Sequence, residues 1–252
     1  IHSFIIVGTY GTGKSSFLLN LEHEVGIPFR KRKLLGDCDV LKNLSFEVLN
    51  IVGDSSSLSS LLAEHLNLER ETSGNDVLKH LKSYYERVAD SGKYLLIAID
   101  EFGKVLEHAA RNNPEEELYF FQKLTEMVNV PSRHIILLTT LHQNFSAYAG
   151  KLNQVQRNEW NKVKGRFQEV VFAEPIEQLL LVASEHISSD FKYDVTDDSF
   201  SRLYRLAIDR KFVSNTLSFE TASRLYPVDV FAAYAITRAI QRYGQNERSL
   251  FS

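Results

Sequence analysis

Eight consecutive residues, Gly8-Thr9-Tyr10-Gly11-Thr12-Gly13-Lys14-Ser15, fit the pattern Gly-x4-Gly-Lys-Ser/Thr without a mismatch. Glycines at these positions let backbone N–H groups turn inward around phosphate oxygens. A helix that begins at the lysine adds its positive N-terminal end. Lys14 then reaches the β- and γ-phosphates and the Ser15 hydroxyl ligates Mg²⁺, with Ser16 next on the same first turn. A second group capable of chemistry is Asp100-Glu101, which ends the apolar run Leu95–Ile99. An Asp at such a strand end holds Mg²⁺ directly or through water, and the adjacent Glu can orient and polarise an attacking water. Loop and pair together point to Mg²⁺-dependent hydrolysis of a nucleoside triphosphate rather than to group transfer. A guanine-reading Asn-Lys-x-Asp is absent, because Asn161-Lys162-Val163-Lys164 lacks the Asp, and no Leu-Ser-Gly-Gly-Gln segment occurs. Adenine is favoured by elimination, so the expected cofactors are ATP and Mg²⁺.

These groups need strands and helices to position them. Phe4–Val7 reads as a buried strand running into the glycine-rich turn, followed by a helix from Lys14 to Glu24. Phe46–Val52, Leu95–Ile99, His134–Thr140 and Phe167–Phe172 read as four further strands. Helical spacing runs through Leu58–Leu66, through Val77–Val88 and along Leu118, Phe121, Leu124 and Met127 or Val128. Apolar strands separated by helices imply a parallel sheet covered on both faces. The fold class is therefore α/β, with five parallel strands flanked by helices. After Pro175 the strand signal stops, and helices are expected over Leu179–Ile187, from Thr196 onward and over Val228–Tyr243. The boundary falls between residues 172 and 173: an α/β core over 1–172 and a small all-helical subdomain over 173–252.

Composition narrows the partners. Among 252 residues, 29 are Lys or Arg and 32 are Asp or Glu, a formal net charge of −3, which removes the usual electrostatic case for nucleic-acid binding. Apolar runs fall far short of the roughly 18 residues that a membrane span requires. The single cysteine, Cys38, can form neither an intrachain disulfide nor a zinc site. A soluble, cytoplasmic protein with no membrane partner is expected. The chain starts almost inside an apolar run and stops in an unfinished helical pattern, so it reads as a module of a longer polypeptide.

Three further segments fall into an order that resembles AAA+ ATPases. Ile135–Leu138 followed by Thr139-Thr140 is similar to their sensor-1 strand, in which a polar residue faces the γ-phosphate. Thr140 is the better candidate, with Thr139 adjacent. Gly165-Arg166-Phe167, then Glu169–Phe172 and Pro175, resembles the segment of origin-recognition-type members that carries an arginine finger. The resemblance implies a helical lid after the core, catalytic roles for Lys14, Glu101, Thr140 and Arg166, and metal ligation by Ser15 and Asp100. It also implies assembly, as a homo-oligomer or through a longer chain, with DNA or a protein as a further partner. For Arg166 the alternative is a surface or lid ion pair. Arg238, Arg242 and Arg248 compete for the role of lid arginine. A narrower similarity, to large bacterial phage-defence ATPases of the BREX type, is carried by the Tyr10–Ser15 loop, Asp100–Lys104 and Gln245–Phe251. A similarity to STAND signalling ATPases leaves open a nucleotide-gated switch with slow or no hydrolysis.

Other features receive structural readings. Arg30-Lys31-Arg32-Lys33 is expected to be a solvated loop rather than a phosphate-binding patch, and the eight histidines show no metal-ligand spacing. His142 and Gln143 lie just past the fourth strand, near enough to approach a nucleotide, with a surface role as the default. Trp160 reads as packing or as part of a subunit contact, and Tyr119, Phe120 and Phe121 read as core.

Overall fold

The computed structural model describes residues 1–9, 12–28, 31–33, 35, 41, 44–172, 175–187, 193–194, 196 and 198–243, without the side chains of Lys151 and 240–243. Tyr10, Gly11, Arg30, Cys38, Arg248 and the Gln245–Phe251 segment lie outside the described residues, as does the side chain of Arg242. The chain divides into two compact units, one formed by Ile1–Gly8 with Gly13–Phe172 and the other by Thr9–Thr12 with Ala173–Ser252.

The first unit is built on strands β1 (Ser3–Val7), β2 (Phe46–Val52), β3 (Tyr94–Asp100), β4 (Ile135–Leu141) and β5 (Gln168–Val171). They form one parallel sheet in the order β2-β3-β4-β1-β5. Helices α1 (Lys14–Gly26), α2 (Leu58–His65), α3 (Gly74–Asp90), α4 (Phe102–Arg111), α5 (Pro114–Val128) and α6 (Gln154–Lys164) connect them, with a 3₁₀ segment over Phe145–Lys151. The sheet is apolar on both faces, and the period of two along each strand divides its residues. On one face Ile6, Leu96, Ala98 and Leu138 pack against Leu18 and Val25 of α1. On the other, Ile5, Ile51, Leu95, Ile97, Ile99 and Leu137 meet the apolar sides of α2 to α6. Each fully buried Leu or Ile contributes roughly 1.5–3 kcal/mol, so register is held strongly in the three central strands. Strand β5, at the edge, is exposed along its length.

Helix α4 is absent from the sequence expectation; its buried apolar residues, Phe102, Val105, Leu106 and Ala109, come close behind the polar pair Asp100-Glu101. Tyr119 departs from its expected core role: Phe120 and Phe121 are buried, whereas Tyr119 lies half exposed on the solvent side of α5. Arg32 departs from the solvated-loop expectation. It is buried, and its guanidinium donates to the carbonyls of Val25, Ile27, Leu41 and Leu44 at 3.1–3.4 Å. Buried Glu24 accepts from the backbone N–H groups of Lys33 and Leu35. These two side chains satisfy backbone polar groups of Val25, Ile27, Lys33, Leu35, Leu41 and Leu44.

The described elements of the second unit are helices α7 (Ile176–His186), α8 (Asp198–Asp209), α9 (Phe219–Ser223) and α10 (Val230–Tyr243). Its core gathers Leu180, Phe200, Ala207, Val213, Leu217 and Leu225. No helix among the described residues is long and apolar enough to cross a membrane.

One buried charge stands out in the first unit. Glu117 of α5 is 8% exposed and accepts from the backbone N–H of Leu58 at the start of α2. Among the described residues its Oε2 has no hydrogen-bond partner. Burial pushes the carboxyl up from the usual 4.5 to about 7. A folded-state value above the unfolded one means that the contribution is intact below pH 4.5 and is lost as pH rises through about 7. The loss amounts to on the order of 3 kcal/mol. Glu117→Gln, which keeps the shape of the protonated acid, should flatten this slope. Urea unfolding at pH 5 and pH 8 should show the wild type losing about 2–3 kcal/mol more than the variant between the two.

Candidate functional site

The C-terminal ends of β1, β3 and β4 bring together residues far apart in the sequence. In an open parallel sheet this is the end at which ligands bind. Strand β4 lies between β3 and β1, with Thr139 level with both Ile99 and Ile5, and Thr140 level with Ile6. Gly8 donates its N–H to the Leu141 carbonyl at 3.0 Å, so the chain leaving β1 stays tied to β4.

The acidic pair is held by a compact set of hydrogen bonds. Thr140 Oγ1 donates to Asp100 Oδ1 at 2.5 Å. The Glu101 N–H donates both to Asp100 Oδ1 at 3.0 Å and to Thr140 Oγ1 at 3.1 Å. Glu101 adopts φ 54° and ψ 32°, a left-handed conformation that costs a non-glycine residue roughly 1–2 kcal/mol. The two hydrogen bonds that its N–H donates offset that cost. On the far side, Gly53 follows β2 and donates its N–H to the Asp100 carbonyl at 2.8 Å. A Cβ at Gly53 would lie 2.5 Å from the Glu101 carbonyl oxygen. Of the two threonines, Thr140 faces the acidic pair, whereas Thr139 Oγ1 donates to the Phe4 carbonyl at 3.3 Å.

Gly13 stands at the N-cap of α1 with φ 84° and no side-chain cap, a backbone conformation that only glycine adopts readily. The first-turn N–H groups of α1 are thus uncapped by a side chain. Lys14 is buried and its ammonium is pushed below the usual lysine range by burial, an effect partly countered by the negative charges of Asp100 and Glu101. Ser15 and Ser16 are exposed on the first turn of α1. Thr12 Oγ1 donates to the Thr9 carbonyl at 2.8 Å, while Tyr10 and Gly11 lie outside the described residues.

His142, for which the sequence gives a surface role as the default, lies beside the acidic pair. Its Nε2 lies 3.0 Å from Glu101 Oε2, and the Lys104 ammonium approaches the same oxygen at 3.6 Å. The signal available in the sequence was its position two residues beyond Thr140, on the same side of an extended chain. Gln143 is exposed. Arg166 is not part of this group. It precedes β5, whose first residue Gln168 pairs with Phe4, at the opposite end of the sheet from Gly8. Its Nη2 pairs with Glu126 of α5 at 2.9 Å, and its carbonyl accepts from Asn129 Nδ2 at 3.0 Å. Trp160 is fully buried, with its Nε1 donating to the Phe145 carbonyl at 3.0 Å.

No protein-family model matches the chain, and no curated protein matches it in sequence. Among solved structures it is similar to the ORC2 protein of Aeropyrum pernix in ADPNP–ADP complexes, at 16% identity and a TM-score of 0.49 over 98% of this chain and 59% of that one. It is also similar to C. elegans PCH-2, at 16% identity and a TM-score of 0.39 over 84% of this chain and 52% of that one. For Cdc6p of Pyrobaculum aerophilum the identity is 16% and the TM-score 0.34, over 71% of this chain and 41% of that one. The chain thus spans between two-fifths and three-fifths of the length of these proteins. Likenesses at this level say nothing of chemistry.

The residues present suit a phosphate group with a divalent cation. Donors at the start of α1 and the buried Lys14 suit the anion. The carboxylate of Asp100 and the exposed hydroxyl of Ser15 supply hard oxygen donors. No group of three or more His, Cys, Asp or Glu among the described residues is arranged to hold a metal by itself, and Mg²⁺ characteristically binds through one or two protein oxygens together with substrate phosphates. The close approach at Gly53 gives a test of how tightly the acidic pair is fixed. Gly53→Ala forces a Cβ into the Glu101 backbone and should cost about 1–3 kcal/mol, read as a lowered midpoint in chemical denaturation. Thr140→Val, which removes one donor and one acceptor from the same group, should cost about 1–3 kcal/mol.

Proposed function

We propose that this chain binds ATP with Mg²⁺ and hydrolyses it. The observation that carries the reading is the convergence of Lys14, at an uncapped helix start, with a rigidly held Asp100-Glu101 pair. The AAA+ resemblance of the sequence and the α/β sheet support the same reading. In it, the phosphates lie at the start of α1, with Gly8, Thr9, Tyr10, Gly11, Thr12 and Gly13 forming the preceding loop and Ser16 following. Lys14 neutralises charge on the β- and γ-phosphates, and Ser15 and Asp100 hold the metal. Mg²⁺, when bound, supplies charge neutralisation for the phosphate oxygens. Glu101 orients the attacking water and takes its proton, and Thr140 holds Asp100 and the Glu101 backbone in place. Arg166 serves as a finger for a neighbouring copy only after leaving Glu126, so the proposal ties turnover to assembly. The helical unit beginning after residue 172 is the proposed lid, with Arg238 as its described candidate arginine. The likeness to phage-defence ATPases rests on sequence motifs alone, and a DNA or protein partner belongs to the longer chain this module is proposed to come from.

The test is Mg²⁺-dependent ATP hydrolysis as a function of protein concentration, together with direct nucleotide binding. Lys14→Ala should weaken ATP binding by about 10²-fold. Glu101→Gln should still bind ATP while kcat falls by about 10²-fold or more. Specific activity should rise with concentration, and equimolar Arg166→Ala should suppress the wild type. Negligible turnover beside tight binding of ATP and ADP would replace hydrolysis with a nucleotide-gated switch. An absence of nucleotide binding would overturn both.

A further inference from the structure

Two nitrogens converge on a single oxygen of Glu101. His142 Nε2 lies 3.0 Å from Oε2 and Lys104 Nζ lies 3.6 Å from it. The two contacts differ in weight. Lys104 is more than half exposed, whereas the His142 side chain is 14% exposed. Water screens the lysine, so the short contact to the sheltered imidazole dominates. The location of His142 is fixed by the sheet. Leu141, the last residue of β4, is fully buried and its carbonyl holds Gly8. The alternation of an extended chain then returns His142 to the side on which Thr140 meets Asp100.

We propose that His142 is a positioning residue for the Glu101 carboxylate, an inference that rests on the hydrolysis reading above. The backbone of Glu101 is fixed by Asp100 and Thr140, but its side chain still has three rotatable bonds. A donor on Oε2 removes that freedom and turns Oε1 into the oxygen that accepts from an attacking water. Reacting groups held in one geometry react faster than groups that must find it. The role predicts an effect on kcat that disappears when Glu101 can no longer act as a base.

Steady-state kinetics and ATP binding should be compared for wild type, His142→Ala, His142→Gln and the same alanine change in Glu101→Gln. The expected result is a kcat lowered about 10-fold in His142→Ala, with KM and ATP affinity within about twofold. His142→Gln, which restores an N–H donor, should recover most of the loss. In Glu101→Gln the alanine change should add nothing, because the two residues act as one unit. The inference is overturned by an unchanged or raised kcat in His142→Ala, by parallel loss of ATP affinity, or by an additive loss in Glu101→Gln. A readout independent of turnover is the imidazole tautomer from ¹⁵N NMR. The wild type should carry the proton on Nε2, and Glu101→Ala should lose that bias. If the wild type binds ATP without turnover, the hydrolysis reading fails alone, and the tautomer decides the pairing: an unbiased imidazole in the wild type overturns it.

Discussion

The interaction on which the site depends is a three-way hydrogen bond among Asp100, Glu101 and Thr140. One backbone N–H is shared between a carboxylate and a hydroxyl, and that hydroxyl donates to the same carboxylate. The arrangement exists only when β3 and β4 are parallel neighbours with Ile99 level with Thr139. A slip of one residue would turn Thr140 away and bring Thr139 round, because alternate residues of a strand face opposite sides. The register is protected by burial on both faces. A slip would exchange the Ile97 and Ile99 side chains, packed against α2 to α6, with Leu96 and Ala98, packed against α1. Core and site are therefore two consequences of one register.

The same constraint explains the strained residue. Glu101 leaves the strand in a left-handed turn because its N–H must reach back to two acceptors while α4 begins at the next residue. Gly53 completes the arrangement from β2. Its lack of a side chain allows its backbone to approach Asp100 and Glu101, and its N–H caps the Asp100 carbonyl. Backbone strain at a position overdetermined by its neighbours is common where a side chain must be aimed.

The five strands, with the apolar run before Asp100 among them, were legible in the sequence as local patterns, readable from spacing within a few residues. The Gly8–Ser15 motif is equally local, but Tyr10 and Gly11 lie outside the described residues. Features that depend on tertiary pairing were not legible in the same way. His142 follows Thr140 by two residues, but only the strand order makes it a neighbour of Glu101. Arg166 read as a finger, with an ion pair as the alternative, and the Glu126 that pairs with it lies on a helix packed from elsewhere. Arg32 sat in a cationic run that implied solvent, yet its partners are backbone carbonyls. Tyr119 shared an aromatic run with Phe120 and Phe121, and helical geometry necessarily turned one of the three outward.

The charge balance at the strand ends carries the argument one step further. Asp100 and Glu101 both act on the Lys14 ammonium, which burial already disfavours. Glu22 of α1 adds a third carboxyl, pushed above its usual range by burial and also by the charge of Asp100, and it accepts from Asn50. A bare polyanion entering this region would meet Lys14 and the start of α1 but would be repelled by the carboxylates. A divalent cation entering alone would meet Asp100 with too few further ligands among the described residues. Each charge supplies what the other lacks, since the cation offsets the carboxylates and the phosphate oxygens complete its coordination. Under the proposed ATP–Mg²⁺ reading, the placement of Lys14, Asp100 and Glu22 would favour the metal–phosphate pair over either member alone.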